Sequence, residues 1–209
     1  MRIGRRYTGS AVIAAALLLA GCGAGREPSG AGSATTTRPA GTSAAAGQTG
    51  AARRCSGRPT IAETEGPYFK AGSPARTTLM QAGMGGTRLV LTGRVLTTTC
   101  TPVAGARLDF WQADASGSYD NSGYRLRGHQ VTDAGGHFTL TTIVPGEYPG
   151  RTQHIHVKVK PPGRPELTTQ LFLPGEPGNQ RDAIFDPSLV MRVRDTGSGK
   201  AATFDFIVG

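Results

Sequence analysis

The chain predicts an all-β domain built as a two-sheet β-sandwich, and three observations carry that expectation. Six short segments have strand length and strand composition. Clusters of Gly, Pro, Asn and Asp separate them. No stretch sustains the 3.6-residue apolar period of a helix. The first candidate, 88–96, is rich in Leu, Val and Thr. The second, 106–111, sets Ala106, Leu108 and Phe110 against polar neighbours. Segments 137–143, 154–160, 167–173 and 203–208 follow, and 180–185 reads as a short turn of helix. There is no internal repeat.

Not all of the 209 residues belong to that domain. Residues 1–21 read as a lipoprotein export signal. Arg2, Arg5 and Arg6 precede an apolar run over 11–20, too short to span a bilayer as a helix. The run ends in Leu19-Ala20-Gly21-Cys22. Small residues before a Cys mark the place where bacterial lipoproteins are cleaved and acylated, so Cys22 is the candidate lipidation site. An ordinary signal peptide with an incidental Cys is the alternative. The pair Arg5-Arg6 hints at twin-arginine export, although its flanking residues do not match, and Sec export stays open. Residues 22–54 are mostly Gly, Ala, Ser, Thr and Pro, which bury too little surface to offset chain entropy. They read as a flexible tether. Residues 55–209 then form one domain by size. The expected location is outside the cytoplasm, anchored to the outer face of the cell membrane.

The formal charge of +9 suggests nucleic acid at first sight. Seven of the 23 Lys and Arg, and one of the 14 Asp and Glu, precede Cys55. That leaves 16 basic against 13 acidic residues in the domain, with no basic run to track phosphates. Nucleic acid is not expected as a partner. With Cys22 assigned to lipid, Cys55 and Cys100 remain as a pair, and outside the cytoplasm a pair is expected to oxidise. Two unrelated thiols are the alternative.

The chemistry concentrates in Gln153-His154-Ile155-His156-Val157-Lys158-Val159-Lys160. Strand alternation puts Ile155, Val157 and Val159 on a core face and His154 and His156 together on the other. Two imidazoles spaced this way can both reach a metal; a polar, solvated strand face is the competing reading. Tyr148 lies in the turn-rich segment just before this strand, and Tyr119 in the loop after Trp111. Two of five tyrosines thus sit in loops that can converge on the imidazoles.

The order and spacing of these pieces resemble the intradiol ring-cleavage dioxygenases. The resemblance runs from Val103-Ala104-Gly105-Ala106 through Phe110-Trp111 to Gly117-Ser118-Tyr119. It continues with Leu126-Arg127-Gly128, Thr132-Asp133, the Pro145–Tyr148 spacing, Arg151-x-x-His154-x-His156 and Thr168-Thr169-Gln170. It covers nearly all of 64–193. The resemblance implies a five-coordinate, non-haem Fe(III) with Tyr119 and His156 equatorial, Tyr148 and His154 axial, and a hydroxide. Phenolates are hard anionic donors that favour ferric iron, and neutral imidazoles complete the sphere. It implies that a catechol binds as its dianion, with Tyr148 and the hydroxide accepting the protons. Dioxygen then opens the ring to a cis,cis-muconate-type diacid. Arg151 would stabilise carbanion character on the ring, and Gln170 would orient the substrate. A surface charge and a solvent-facing strand residue are their bland alternatives. Glu65-Gly66-Pro67-Tyr68-Phe69 resembles a segment of the family's pocket wall, so Pro67 and Tyr68 are candidate substrate contacts. A plain turn fits Tyr68 equally well. Tyr124 is the rival of Tyr119, while His129 and His137 match no ligand position.

Cytoplasmic members carry an N-terminal helical region that builds a dimer. Here the tether stands in its place, and the oligomeric state stays open. A second class also fits the turns and the core: an iron-free transthyretin-like or carboxypeptidase-regulatory-like sandwich serving as a binding or structural module. A zinc hydrolase fits worse, because no motif supplies its ligands and general base.

Overall fold

The structure, a computed structural model, describes residues 55–209. The export signal, Cys22 and the tether lie outside the described residues. The described chain folds as the expected two-sheet sandwich. Its strands are β1 (Arg88–Thr97), β2 (Arg107–Trp111), β3 (Arg127–Val131), β4 (His137–Ile143), β5 (His154–Lys160), β6 (Leu167–Phe172), β7 (Arg192–Thr196), β8 (Gly199–Thr203) and β9 (Phe206–Val208). One sheet runs β4-β1-β8-β7, with β9 also pairing β1, and the other runs β3-β2-β5-β6.

Alternation decides which side chains meet between the sheets. Leu89, Leu91 and Val95 of β1, Leu108 and Phe110 of β2, and Phe138 and Leu140 of β4 are fully or almost fully buried. Ile155, Val157 and Val159 of β5 join them in the same core cluster. Each such side chain contributes roughly 1.5–3 kcal/mol relative to exposure, so the register of every strand is strongly specified.

Three elements differ from the sequence expectation. The segment 203–208 is not one strand but the end of β8 and all of β9, both parallel to β1. The break falls at Phe204 and Asp205, where the Asp205 carboxylate, not a main-chain carbonyl, accepts from the Arg94 amide at 2.9 Å. Gly93 permits this, since a Cβ there would overlap the Phe204 carbonyl. Strands β3 and β7 carry no apolar alternation; both are edge strands, where charge and polarity discourage further pairing. The turn expected at 180–185 is displaced to a 3-10 turn over Pro177–Gln180. Proline starts that turn, and the Asp182 side chain then takes the Ile184 amide at 3.1 Å, diverting the chain from further helix.

A disulfide joins Cys55 to Cys100, closing a separation of 45 residues between the start of the described chain and the β1–β2 turn. In the chain-entropy view a loop of that length contributes about 3–4 kcal/mol. The Cys55→Ser, Cys100→Ser double variant is therefore expected to lose about that much unfolding free energy under oxidising conditions. Urea titration measures it, and an unchanged midpoint would show that the bond constrains nothing.

Candidate metal centre

The site lies on the outer face of the β3-β2-β5-β6 sheet. Strand β5 turns Ile155, Val157 and Val159 inward, so His154 and His156 face outward, yet they are only 2% and 1% exposed. The solvated-face reading therefore fails. A strap, residues 64–69, roofs this face. Phe69 meets the Trp111 ring edge-on at 4.9 Å, and Gly66 lies against the edge of the His156 ring. Lys158 fastens the strap by its ion pair with Glu65 at 2.7 Å and its position over the Phe69 ring. Glu166, just before β6, holds the same ammonium at 3.0 Å.

Strand register builds one row across this face. Arg127 pairs with Trp111, Trp111 with His156, and His156 with Gln170. Trp111 stacks on His156 with centroids 4.7 Å apart and planes 8° from parallel. Alternation along 106–111 already placed Trp111 on the face opposite Phe110, a signal that sequence reasoning left unused.

Two loops bring the tyrosines. The loop after β2 and the loop before β5 are joined where the Gly146 amide donates to the Asp114 carbonyl at 2.8 Å. Gly117, at φ 83°, passes so close to the Glu147 carbonyl that a Cβ would overlap it. Tyr119 and Tyr148 consequently sit edge to face at 5.7 Å, with Tyr148 5.6 Å from His154 and Tyr119 6.3 Å from His156. The Nε2 atoms of the two histidines are 3.0 Å apart. His154 donates from Nδ1 to the Thr152 carbonyl at 2.6 Å; a carbonyl only accepts, so Nε2 carries the lone pair. The Tyr119 hydroxyl is buried without a hydrogen-bond partner among the described residues, as is Nδ1 of His156. Two imidazoles and two phenols thus converge in a way that could hold a metal ion. Among the described residues, no group of three or more His, Cys, Asp or Glu side chains does so.

The surrounding groups orient this set. Arg151 donates from Nε to both oxygens of Asp182 (3.1 and 3.0 Å) and from Nη1 to the Tyr148 hydroxyl (3.2 Å). Its Nη2 donates to Gln170 Oε1. Gln170, fully buried, donates in turn to the Thr64 carbonyl at 2.9 Å. Asp182 also accepts from the Thr152 amide at 3.0 Å, so one buried carboxylate sets both Arg151 and the residue that orients His154. Sequence reasoning missed Asp182, since nothing local to it indicates a partner 31 residues away. Tyr68 stacks on Tyr119 at 4.3 Å, so the strap packs directly against the candidate ligand set. Pro67 is exposed and lines a surface cavity of about 380 Å³ with Tyr68, Lys70 and Arg127. Tyr124 stands apart, donating to the Ala71 carbonyl at 2.8 Å. His129 binds the Ser73 carbonyl and His137 pairs with Asp133, so both are structural.

Electrostatics keep the four groups neutral in the absence of metal. Burial, with the Arg151 charge second, pushes His154 down to about 4. Burial, then His154 and Arg151, holds His156 well below the usual imidazole range. Burial raises both phenols, Tyr119 further through its neighbour Tyr148.

A depressed imidazole binds fewer protons in the folded than in the unfolded chain. Stability is therefore present above 6.5 and is lost as pH falls toward about 4. From His154 alone, the metal-free chain is expected to lose about 3 kcal/mol between neutrality and the lower end of that window. Urea unfolding against pH, compared with His154→Gln, isolates this contribution; parallel profiles for the two proteins would refute it.

Comparison with known proteins assigns the family. The sequence model of the Dioxygenase family matches residues 64–208. The dioxygenase domain of a dioxygenase carbohydrate-binding protein fusion from Streptomyces sp. SirexAA-E is 56% identical, with a TM-score of 0.71 over 72% of this chain and 98% of that one. The 3-chlorocatechol 1,2-dioxygenase of Rhodococcus opacus is 30% identical, with a TM-score of 0.68 over 74% of each chain. The hydroxyquinol 1,2-dioxygenase of a Rhizobium species is 33% identical over 124 residues, 48% of this chain and 42% of that enzyme. The chain thus spans less than half the length of that curated relative. With the matched region covering both sheets and every member of the site, the chain belongs to the intradiol ring-cleavage dioxygenase family.

Proposed function

We propose that this chain is a non-haem Fe(III)-dependent dioxygenase. It opens a catechol-type ring between the two hydroxyl-bearing carbons, adds both atoms of dioxygen and yields a cis,cis-muconate-type diacid. The observation that carries this reading is the convergence of two buried Nε2 atoms, 3.0 Å apart, with a buried Tyr119 hydroxyl that has no hydrogen-bond partner among the described residues. An iron-free sandwich module needs the same turns and core but no such donor set. The names of the relatives supply the substrate class, a catechol or hydroxyquinol ring.

Tyr119, Tyr148, His154 and His156 would hold the iron, and the donor set suits it. Two phenolates favour the ferric state, and two neutral imidazoles complete the set. Bound Fe(III) supplies the Lewis acidity that lets a catechol bind as its dianion and the electron affinity that opens the ring to dioxygen. The chain's own contribution is position and charge. Thr152 keeps the His154 lone pair on Nε2. Tyr148, half-buried and hydrogen-bonded by Arg151, would as its phenolate accept a proton from the incoming diol at its oxygen. Arg151, immobilised by Asp182, keeps a cation where negative charge would build on the ring. Gln170, held by Arg151 and Thr64, would orient the ring, and Pro67 and Tyr68 would form its wall.

The same proposal places the enzyme outside the cytoplasm, held to the membrane through Cys22. The Cys55–Cys100 disulfide supports an oxidising compartment. In cells, the wild-type chain is expected in the membrane fraction, and Cys22→Ala in the soluble extracytoplasmic fraction. Equal partition of the two would remove the anchor from the reading.

The central test is a visible spectrum of the purified protein with metal analysis on the same sample. Iron-loaded protein is expected to show a broad tyrosinate-to-iron charge-transfer band that shifts when catechol is added. Tyr119→Phe and Tyr148→Phe should each move or weaken it. Iron-reconstituted protein that stays colourless would overturn the ligand assignment and return the chain to the iron-free class.

A further inference from the structure

We propose that Arg127 is a positioning residue of this centre, one that clamps the Tyr119 loop and the strap while setting a fixed positive charge beside the Tyr119 ring. The proposal rests on the iron reading above. Arg127 opens β3 and stands at one end of the row that continues through Trp111 and His156 to Gln170. It is only 2% exposed. A buried guanidinium ordinarily finds a carboxylate, because an unpaired charge away from water is costly. Arg127 forms no ion pair with a carboxylate among the described residues. Its Nε and Nη2 donate to the Asp120 carbonyl at 3.2 and 3.0 Å, and its Nη1 to the Tyr68 carbonyl.

The nearby Asp120 carboxylate does not answer the charge by a hydrogen bond. It accepts from the amides of Ser122, Gly123 and Arg125 instead. What the guanidinium does face is the Tyr119 ring, 5.9 Å from its centroid. Tyr119 immediately precedes Asp120, and Tyr68 stacks on Tyr119. One side chain therefore holds both partners of that aromatic pair, Tyr68 by its own carbonyl and Tyr119 by the carbonyl of the residue that follows it. The two ends of the row act alike: Gln170 takes the strap at the Thr64 carbonyl, and Arg127 takes it at Tyr68.

The backbone is arranged for this placement. Leu126 has φ 54°, a left-handed conformation costly for a branched side chain. Arg76 Nε donates to the Arg127 carbonyl at 2.9 Å, and its Nη2 reaches the Tyr124 and Arg127 carbonyls, tying down the turn. The Asp120 and Asp109 carboxylates act on this cation only from beyond hydrogen-bond reach, and a phenolate at Tyr119, as ferric iron requires, would add an anion on the ring it faces.

The test uses the full-length, metal-free protein titrated with ferric iron against a competing chelator. Affinity and the position of the charge-transfer band are read together. The variants are Arg127→Met, Arg127→Gln and Arg127→Lys, with thermal melts of the metal-free proteins to establish folding. The neutral variants are expected to bind iron roughly 10- to 100-fold more weakly. Their band should move to longer wavelength, because a phenolate without its neighbouring cation gives up electron density more easily. Arg127→Lys should return the band toward the wild-type position. If Arg127→Met does not fold, Arg127→Gln, which keeps a donor for the Asp120 carbonyl, decides the question. Wild-type affinity and band in the neutral variants would overturn the proposal. So would weaker binding with an unmoved band, the mark of a structural fastener. A wild-type chain that takes up no iron would instead defeat the iron reading itself, before any variant is compared.

Discussion

Strand β5 joins the stability of this domain to its site. Ile155, Val157 and Val159 are fully buried between the sheets, and His154 and His156 occupy the alternate positions. Shifting the pairing by one residue would take three apolar side chains out of the core and drive both imidazoles into it. At roughly 1.5–3 kcal/mol for each apolar side chain, that slip costs more than a marginally stable domain can lose. The hydrophobic core therefore aims the imidazoles.

Sheet geometry then multiplies that precision. Pairing β5 between β2 and β6 lines up Trp111, His156 and Gln170, and pairing β3 with β2 adds Arg127. These neighbours lie on rigid strands, whereas both tyrosines lie on loops. The loops are held by main-chain contacts: the Gly146 amide on the Asp114 carbonyl, and the close passage of Gly117 by Glu147. His154 and His156 are thus aimed by a strand, whereas Tyr119 and Tyr148 depend on these loop contacts for their positions.

Charge around the site is arranged with equal economy. Arg151 is neutralised by Asp182, and Lys158 by Glu65 and Glu166, so these cations anchor structure as well as field. Burial keeps the imidazoles unprotonated and the phenols protonated when no metal is present. The resulting set is neutral and buried beneath the strap, which spares that dry face an unpaired charge and leaves lone pairs for a cation.

Local pattern carried much of this into the sequence. The period-two alternation of 154–160 separated core from site, and 106–111 and 137–143 announced their strands, because each is set by residues adjacent in the chain. The pairing of Cys55 with Cys100 was also readable, since it followed from compartment and count. Edge strands β3 and β7 were not, because pairing without burial leaves no apolar period. The break between β8 and β9 depended on the approach of Phe204 to Gly93, a contact 111 residues apart in the Arg94–Asp205 hydrogen bond beside it. Likewise Asp182 and Arg127 acquire their roles from carbonyls, amides and rings supplied by distant segments. The sequence by itself determined which residue types alternate and hence which face each strand presents. Only the tertiary structure decided which of those faces meet, because hydrogen-bond partners far apart in the chain become neighbours through sheet register alone.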